Sequence, residues 1–216
     1  MTTATTTMPV SGLTLRPSAL QRHAAFFDPQ GTGVVKMGQT FHGMRRLGVR
    51  LVWRVVLPPI IHVFLGYLTQ GRPSLVIRID RIARGKHPFD SGSFDTEGEV
   101  DPSAFTALFE KYGDAITVDE MRAVISARGN RLPKMGKVAG ALGHWFSSRE
   151  VSLFFCVASD TTKNVDGRAV DAVTKKTFER FYEGTLFPEL ARRRALVDAG
   201  CVGVRKRCHL RAGTPS

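Results

Sequence analysis

Two features stand back to back in the first third of the chain, and together they restrict its fold more than anything else in the sequence. Residues 28–39, Asp-Pro-Gln-Gly-Thr-Gly-Val-Val-Lys-Met-Gly-Gln, have the frame of an EF-hand calcium loop. Asp28 takes the first position, Gly33 the sixth and Val35 the eighth, the positions that open coordination, make the sharp turn and pair with a partner loop. Most of the loop's charge is missing. Gln30, Thr32, Lys36 and Gln39 occupy places where oxygen-rich side chains are wanted, and Gln39 replaces the bidentate Glu. A hydrophobic tract interrupted by Pro58-Pro59 follows almost at once.

Around the loop, Leu20–Phe27 reads as an entering helix and Thr40 to about Leu57 as the helix that leaves it. On the second, His42, Arg46, Arg50 and Arg54 recur every fourth residue and are expected to share a face. Leu47, Leu51, Val52, Val55 and Val56 fill the rest. A basic stripe beside an apolar flank is the pattern of a helix lying in a lipid interface. Pro58-Pro59 is expected to end that helix, leaving Ile60–Leu68 as a second apolar arm. A single span needs about 20 apolar residues, more than either arm offers. A shallow membrane hairpin or monotopic insertion over residues 47–68 is therefore expected, with an internal helix pair of a soluble core as the alternative.

Two further glycine-centred segments, at Gly98 and Gly167, follow acidic or amide residues and precede helical stretches; they read as degenerate partner loops. Thr117-Val-Asp-Glu120 is an N-capping pattern opening a helix over residues 116–128. Residues 145–157 are largely apolar and read as a core helix, with a second interfacial helix as the alternative; residues 1–18, Thr/Ser/Pro-rich, read as a disordered segment and residues 191–216 as a basic tail. The fold class is thus mainly α, with EF-hand-like helix–loop–helix units and a proline-interrupted membrane-inserting segment. Lys+Arg 31 against Asp+Glu 19 gives a net charge of +12, which implies an acidic partner surface. Anionic lipid fits better than nucleic acid, because the basic residues are not interleaved with aromatics and no nucleic-acid module is present. Three scattered cysteines imply reduced thiols, and the Thr-rich start lacks the pattern of a secretory signal.

No GxSxG, HExxH, P-loop or dinucleotide fingerprint occurs. Among six histidines, His23 precedes Ala-Ala-Phe-Phe, and His87 lies in the turn-forming stretch Arg84–Gly92. Two imidazoles near aromatic groups can hold a haem iron, although their spacing does not require it.

Several segments, in order, resemble the caleosins, lipid-droplet proteins also described as haem peroxygenases. They are Leu20-Gln-Arg-His23-Ala-Ala-Phe-Phe-Asp28, Pro58-Pro59 with Pro73, Ile79–His87 leading into Asp90-Ser-Gly-Ser-Phe-Asp-Thr-Glu-Gly98, Phe109-x-Lys111-Tyr112, and Glu183-Gly-Thr-Leu-Phe187. The resemblance covers residues 19–190 and implies one caleosin-like domain, with the EF-hand-like loop at 28–39 and the haem-ligand block at 79–98. It implies haem b as cofactor, with His23 and His87 as its ligands and as the catalytic residues. It implies calcium at Asp28, Gln30, Thr32, Val34 and Gln39, although the loop's depleted charge predicts weak binding or none. A membrane anchor involving Arg50, Arg54, Pro58, Pro59 and Pro73 is also implied. The expected reaction moves oxygen from a fatty-acid hydroperoxide to an unsaturated lipid on the cytosolic face of a lipid droplet or the endoplasmic reticulum. The alternative is a non-catalytic droplet coat or tether that keeps the fold without haem.

Overall fold

A computed structural model describes residues 16–85, 92–129 and 137–200. Among them are eight α-helices, one 3-10 helix and five short strands, so the chain is mostly helical. The first half runs α1 (Ala19–Ala25), β1 (Val34–Lys36), α2 (Met37–Arg46), α3 (Leu51–Gln70), β2 (Val76–Arg78) and a 3-10 helix Ile79–Gly85. The second runs α4 (Pro102–Tyr112), β3 (Ala115–Thr117), α5 (Val118–Gly129), α6 (Lys137–Ala158), β4 (Thr161–Val165), β5 (Arg168–Thr174), α7 (Lys175–Tyr182) and α8 (Leu186–Asp198). Each half joins helix–strand–helix units through antiparallel pairing, Val35 opposite Ile77 in one and Ile116 opposite Val173 in the other.

Val35, the eighth residue of the 28–39 loop, therefore pairs with a strand, but its partner is not where the sequence suggested. Gly98 lies in a turn before α4, and Gly167 stands at the tip of the β4–β5 hairpin. Asp166-Gly167 between two β-rich runs is a hairpin signal that the reading of three similar loops obscured. The cap at Thr117 forms as expected, with Glu120 N–H donating to Thr117 Oγ1 (3.3 Å) and Thr117 N–H to Glu120 Oε2 (2.8 Å).

The helix expected over 40–57 is two helices. Gly48, at φ +80, ends α2: its N–H donates to Arg45 O and that of Val49 to Met44 O, the paired closure of a Schellman motif. The proposed stripe of His42, Arg46, Arg50 and Arg54 is thereby divided between α2, the turn and α3. Pro58-Pro59 then fails to break α3, which is continuous for 20 residues. The expected hairpin is replaced by a single helix. The prolines remove the N–H groups that would bond the carbonyls of Arg54 and Val55, and packing offsets that local loss. Leu57, Pro58, His62, Gly66 and Thr69 are all buried against the body. His62 is locked in place, with Nε2 2.7 Å from Thr40 Oγ1 and Nδ1 2.7 Å from Leu75 O. The opposite face is apolar and open: Leu51, Val52, Val55, Val63 and Tyr67 are each more than half exposed.

The main core gathers α4, α5, α6 and α7 around Phe105, Phe109, Ile116, Phe155, Val173 and Phe178. A smaller cluster of Met44, Val49, Leu57 and Leu153 joins the halves. Residues 191–198, placed in the basic tail from sequence, belong to α8.

Gly66 is where α3 allows the chain to return. A Cβ there would stand 2.0 Å from Ser74 O, a backbone atom that cannot swing aside. Gly66→Ala should lower the thermal midpoint by at least about 5 °C. Gly38→Ala, at a helical position with nothing within 4 Å, should raise it by about 1–3 °C. Calorimetric melting of both variants checks the difference in sign.

Candidate active site

Seven residues are too few for a helix to persist alone, so α1 is held by what surrounds it. A capping box closes its start, with Gln21 N–H on Ser18 Oγ and Ser18 N–H on Gln21 Oε1. The turn at 95–99 then clamps it: Leu20 N–H donates to Gly98 O (3.0 Å) and Ala19 N–H to Glu99 Oε2 (3.2 Å). Asp95 Oδ1 shapes that turn by accepting from the N–H groups of Glu97 and Glu99. On the other side, Arg22 Nε donates to Glu183 O at 2.9 Å. Gly184 sits so close that a Cβ would lie 2.6 Å from Arg22 Cβ and 3.0 Å from His23 N.

These contacts set His23 between two rings. Phe181 is 4.7 Å away in an edge arrangement and Phe187 is 4.5 Å away and tilted. Behind them, Phe154 of α6 stands 4.6 Å from Phe181. The imidazole lines a cavity of about 390 Å³, within the size range of ligand pockets. Its wall is largely apolar, built from α1, α3, α5, α6 and α7, with Leu57, Ile61 and Leu65 as the contribution of α3. His23 keeps only part of its surface accessible and lines the cavity. Desolvation consequently pushes its pKa down to about 4. Neither ring nitrogen has a hydrogen-bond partner among the described residues. A neutral imidazole with an uncommitted lone pair, facing an apolar cavity, has the donor chemistry of a haem-iron ligand. His87 lies outside the described residues, two positions beyond Gly85, which lines the cavity, as Phe94 does on the far side of that segment.

The 28–39 loop is built differently from a charged cation cage. Asp28 is buried; its Oδ2 accepts from Gly33 N–H (2.7 Å) and its Oδ1 from Thr32 Oγ1 (3.0 Å) and Gln39 Nε2 (3.4 Å). Gln39 Oε1 is committed to Lys36 N–H at 2.7 Å, so the amide turns its NH₂ towards the carboxylate. Thr32 Oγ1 also reaches Val34 O at 3.2 Å, while Gln30 is exposed. The loop brings Asp28, Thr32, Val34 and Gln39 together around one negative charge. That set holds a single carboxylate, and calcium affinity in such loops follows ligand charge and count; no cluster of three His, Cys, Asp or Glu side chains occurs among the described residues.

The residues expected at a membrane separate. Arg50 is exposed at the N-cap of α3, whereas the Arg54 guanidinium lies 5.3 Å from the Phe41 ring of α2. Pro58 is buried, Pro59 is exposed, and Pro73 is exposed in the turn to β2. Among the described residues, α3 is the one helix long and apolar enough to cross a membrane. Sequence reasoning did not connect Phe181, or Phe154 behind it, with His23; Phe187 alone lay in a segment that the caleosin resemblance had singled out.

The family profile described as caleosin-related protein matches residues 16–191. The chain belongs to the caleosin family. It is 33% identical over 186 residues to a Lilium longiflorum protein named Peroxygenase, covering 82% of this chain and 72% of that one. It is 28% identical, also over 186 residues, to an Arabidopsis thaliana protein named Probable peroxygenase 4, covering 82% and 87%. No solved structure matches the chain significantly. Three of the segments carrying the caleosin resemblance, around His23, Gly98 and Gly184, are the ones that meet at α1.

The depressed His23 pKa has a stability consequence. Between the unfolded value near 6.5 and about 4, the unfolded chain binds the proton and the folded one does not. This contribution is therefore complete above pH 6.5 and is lost as pH falls towards 4. The thermal midpoint should drop by up to about 2–4 °C per pH unit in that window, and His23→Phe should flatten the slope. Melting curves of both proteins across the window provide the measurement.

Proposed function

We propose that this caleosin is a haem-dependent peroxygenase working at a membrane surface. One observation carries the proposal: a buried, neutral imidazole without a hydrogen-bond partner faces an apolar cavity, in a chain whose relatives are named peroxygenases. When bound, haem b would supply the oxygen-transfer chemistry from a fatty-acid hydroperoxide to an unsaturated lipid, yielding an epoxide and an alcohol. His23 would ligate the iron, with its ring plane fixed by Phe181 and Phe187. His87 is the second candidate ligand. Two strong ligands would leave no open position for a peroxide, so one of the pair binds weakly or acts from nearby. The apolar wall would hold the acyl chain and exclude water, and that desolvation keeps the imidazole unprotonated.

The outer face of α3 would lie in the lipid interface. Exposed Arg45, Arg46 and Arg50 flank its start, and Arg194 packs against Gly48 in the same turn, placing cations where anionic head groups would meet them. Because the inner face of α3 carries buried, hydrogen-bonded His62 and Thr69, the helix lies on the membrane rather than through it. The cytosolic face of a lipid droplet or the endoplasmic reticulum is the expected location. Calcium is proposed to bind weakly or not at all.

Protein expressed with haem supplied should show a Soret band and peroxygenase activity. His23→Ala and His87→Ala should each reduce both at least tenfold without releasing the protein from liposomes. An unchanged spectrum and full activity in both variants would refute the haem assignment, and a wild-type protein with neither signal would favour the non-catalytic coat. Val55→Asp with Val63→Asp should release the protein from liposomes, whereas high salt alone should only weaken binding by screening the arginines. Calorimetry should detect no calcium binding at micromolar concentrations, and the triple change Gln30→Asp, Thr32→Asp, Gln39→Glu should create it.

A further inference from the structure

The cavity holds a polar group that no described residue of the protein engages. Ser147, on α6, lines the wall and is only 2% exposed, yet its hydroxyl has no hydrogen-bond partner. Two other serines of the same helix and its C-terminal flank behave in the ordinary way. Ser152 Oγ donates to Ser148 O and Ser159 Oγ to Phe155 O, each at 2.5 Å and four residues back. An unpaired buried hydroxyl is unfavourable, and its position on a cavity wall points to a group that arrives with a ligand. The other polar lining residues are already engaged: the Thr40 hydroxyl with His62, and Glu150 and Tyr182 in interactions of their own. Among the described lining residues, His23 and Ser147 are left without a protein hydrogen bond.

Their separation suggests the ligand's shape. Phe154, which stands behind the Phe181–His23 pair, is seven residues along α6 from Ser147, a rise of about 10 Å. A ligand with one segment at His23 and an oxygen at Ser147 is therefore elongated. Its oxygen is neutral, because Ser147 brings no charge and no lysine or arginine stands among the described lining residues.

We infer that Ser147 is a specificity residue. It hydrogen-bonds a neutral oxygen function (hydroxyl, epoxide or ester carbonyl) on an acyl chain whose reacting segment lies at His23. The role given to His23 rests on the peroxygenase reading; the binding preference does not.

Binding separates the two. The full-length protein is loaded with methyl cis-parinarate, whose fluorescence reports occupancy, and the probe is displaced by methyl octadecanoate or by methyl hydroxyoctadecanoates differing in hydroxyl position. At the best position, the hydroxylated ester should bind about three- to tenfold more tightly than the unsubstituted one. Ser147→Ala should abolish that preference while keeping affinity for methyl octadecanoate. Ser147→Thr should retain the preference and Ser147→Val, its equal in shape, should lose it, which guards against a folding defect in any one variant. No preference in the wild type, or a preference that survives Ser147→Ala, would overturn the inference and leave Ser147 holding an ordered water only. A missing Soret band, by contrast, would refute the peroxygenase reading and leave this result standing.

Discussion

The site depends on a close approach between two pieces of backbone. α1 has too few residues to hold itself, and it stays helical because the turn at Glu183-Gly184 presses against Arg22 and His23 while the turn at 95–99 caps the other end. The first contact requires glycine twice over. Gly184 adopts φ +78, a conformation that L side chains rarely take, and any Cβ would fall within 2.6 Å of Arg22 Cβ. Once that contact is made, Phe181 and Phe187 arrive on either side of His23 without further provision, since they flank the same turn. The ring's orientation, its dry surroundings and its depressed pKa all follow from it.

The second organising element is α3, which acts as a partition. Its inner face supplies Leu57, Ile61 and Leu65 to the cavity, and its outer face presents Leu51, Val52, Val55, Val63 and Tyr67 to the surroundings. Pro58-Pro59 lies midway along the helix, where two backbone hydrogen bonds are missing. The prolines thus leave this wall of the cavity short of two backbone hydrogen bonds midway along α3.

Much of this was readable from the sequence, for identifiable reasons. The positions of the 28–39 loop predicted that Val35 would pair across to a partner, because turn geometry is local; that the partner is Ile77 rather than a loop at Gly98 or Gly167 was not legible. The cap at Thr117 was local too. The apolar surroundings of His23 could be anticipated from Ala24–Phe27, but not Phe154 and Phe181, which lie more than a hundred residues away and come together only through packing. Two local rules misled. A proline pair was expected to end a helix, yet burial of Leu57, Pro58, His62 and Thr69 outweighs the missing hydrogen bonds. Gly48 was overlooked as a helix terminator because the basic residues on both sides kept a four-residue rhythm, and the stripe it suggested never forms. His87, the other residue on which the haem reading turns, lies outside the described residues.

The account stands or falls on the state of one side chain, and the nitrogen chemical shifts of the His23 imidazole report it directly. Followed by nuclear magnetic resonance in the full-length protein, with His23→Phe to assign the signals, they should show a ring that stays neutral as pH falls from 8 and takes up its proton only around pH 4. A titration centred near the ordinary value of about 6.5 would show that His23 meets bulk water. The dry cavity, and the ligand chemistry built on it, would then be contradicted.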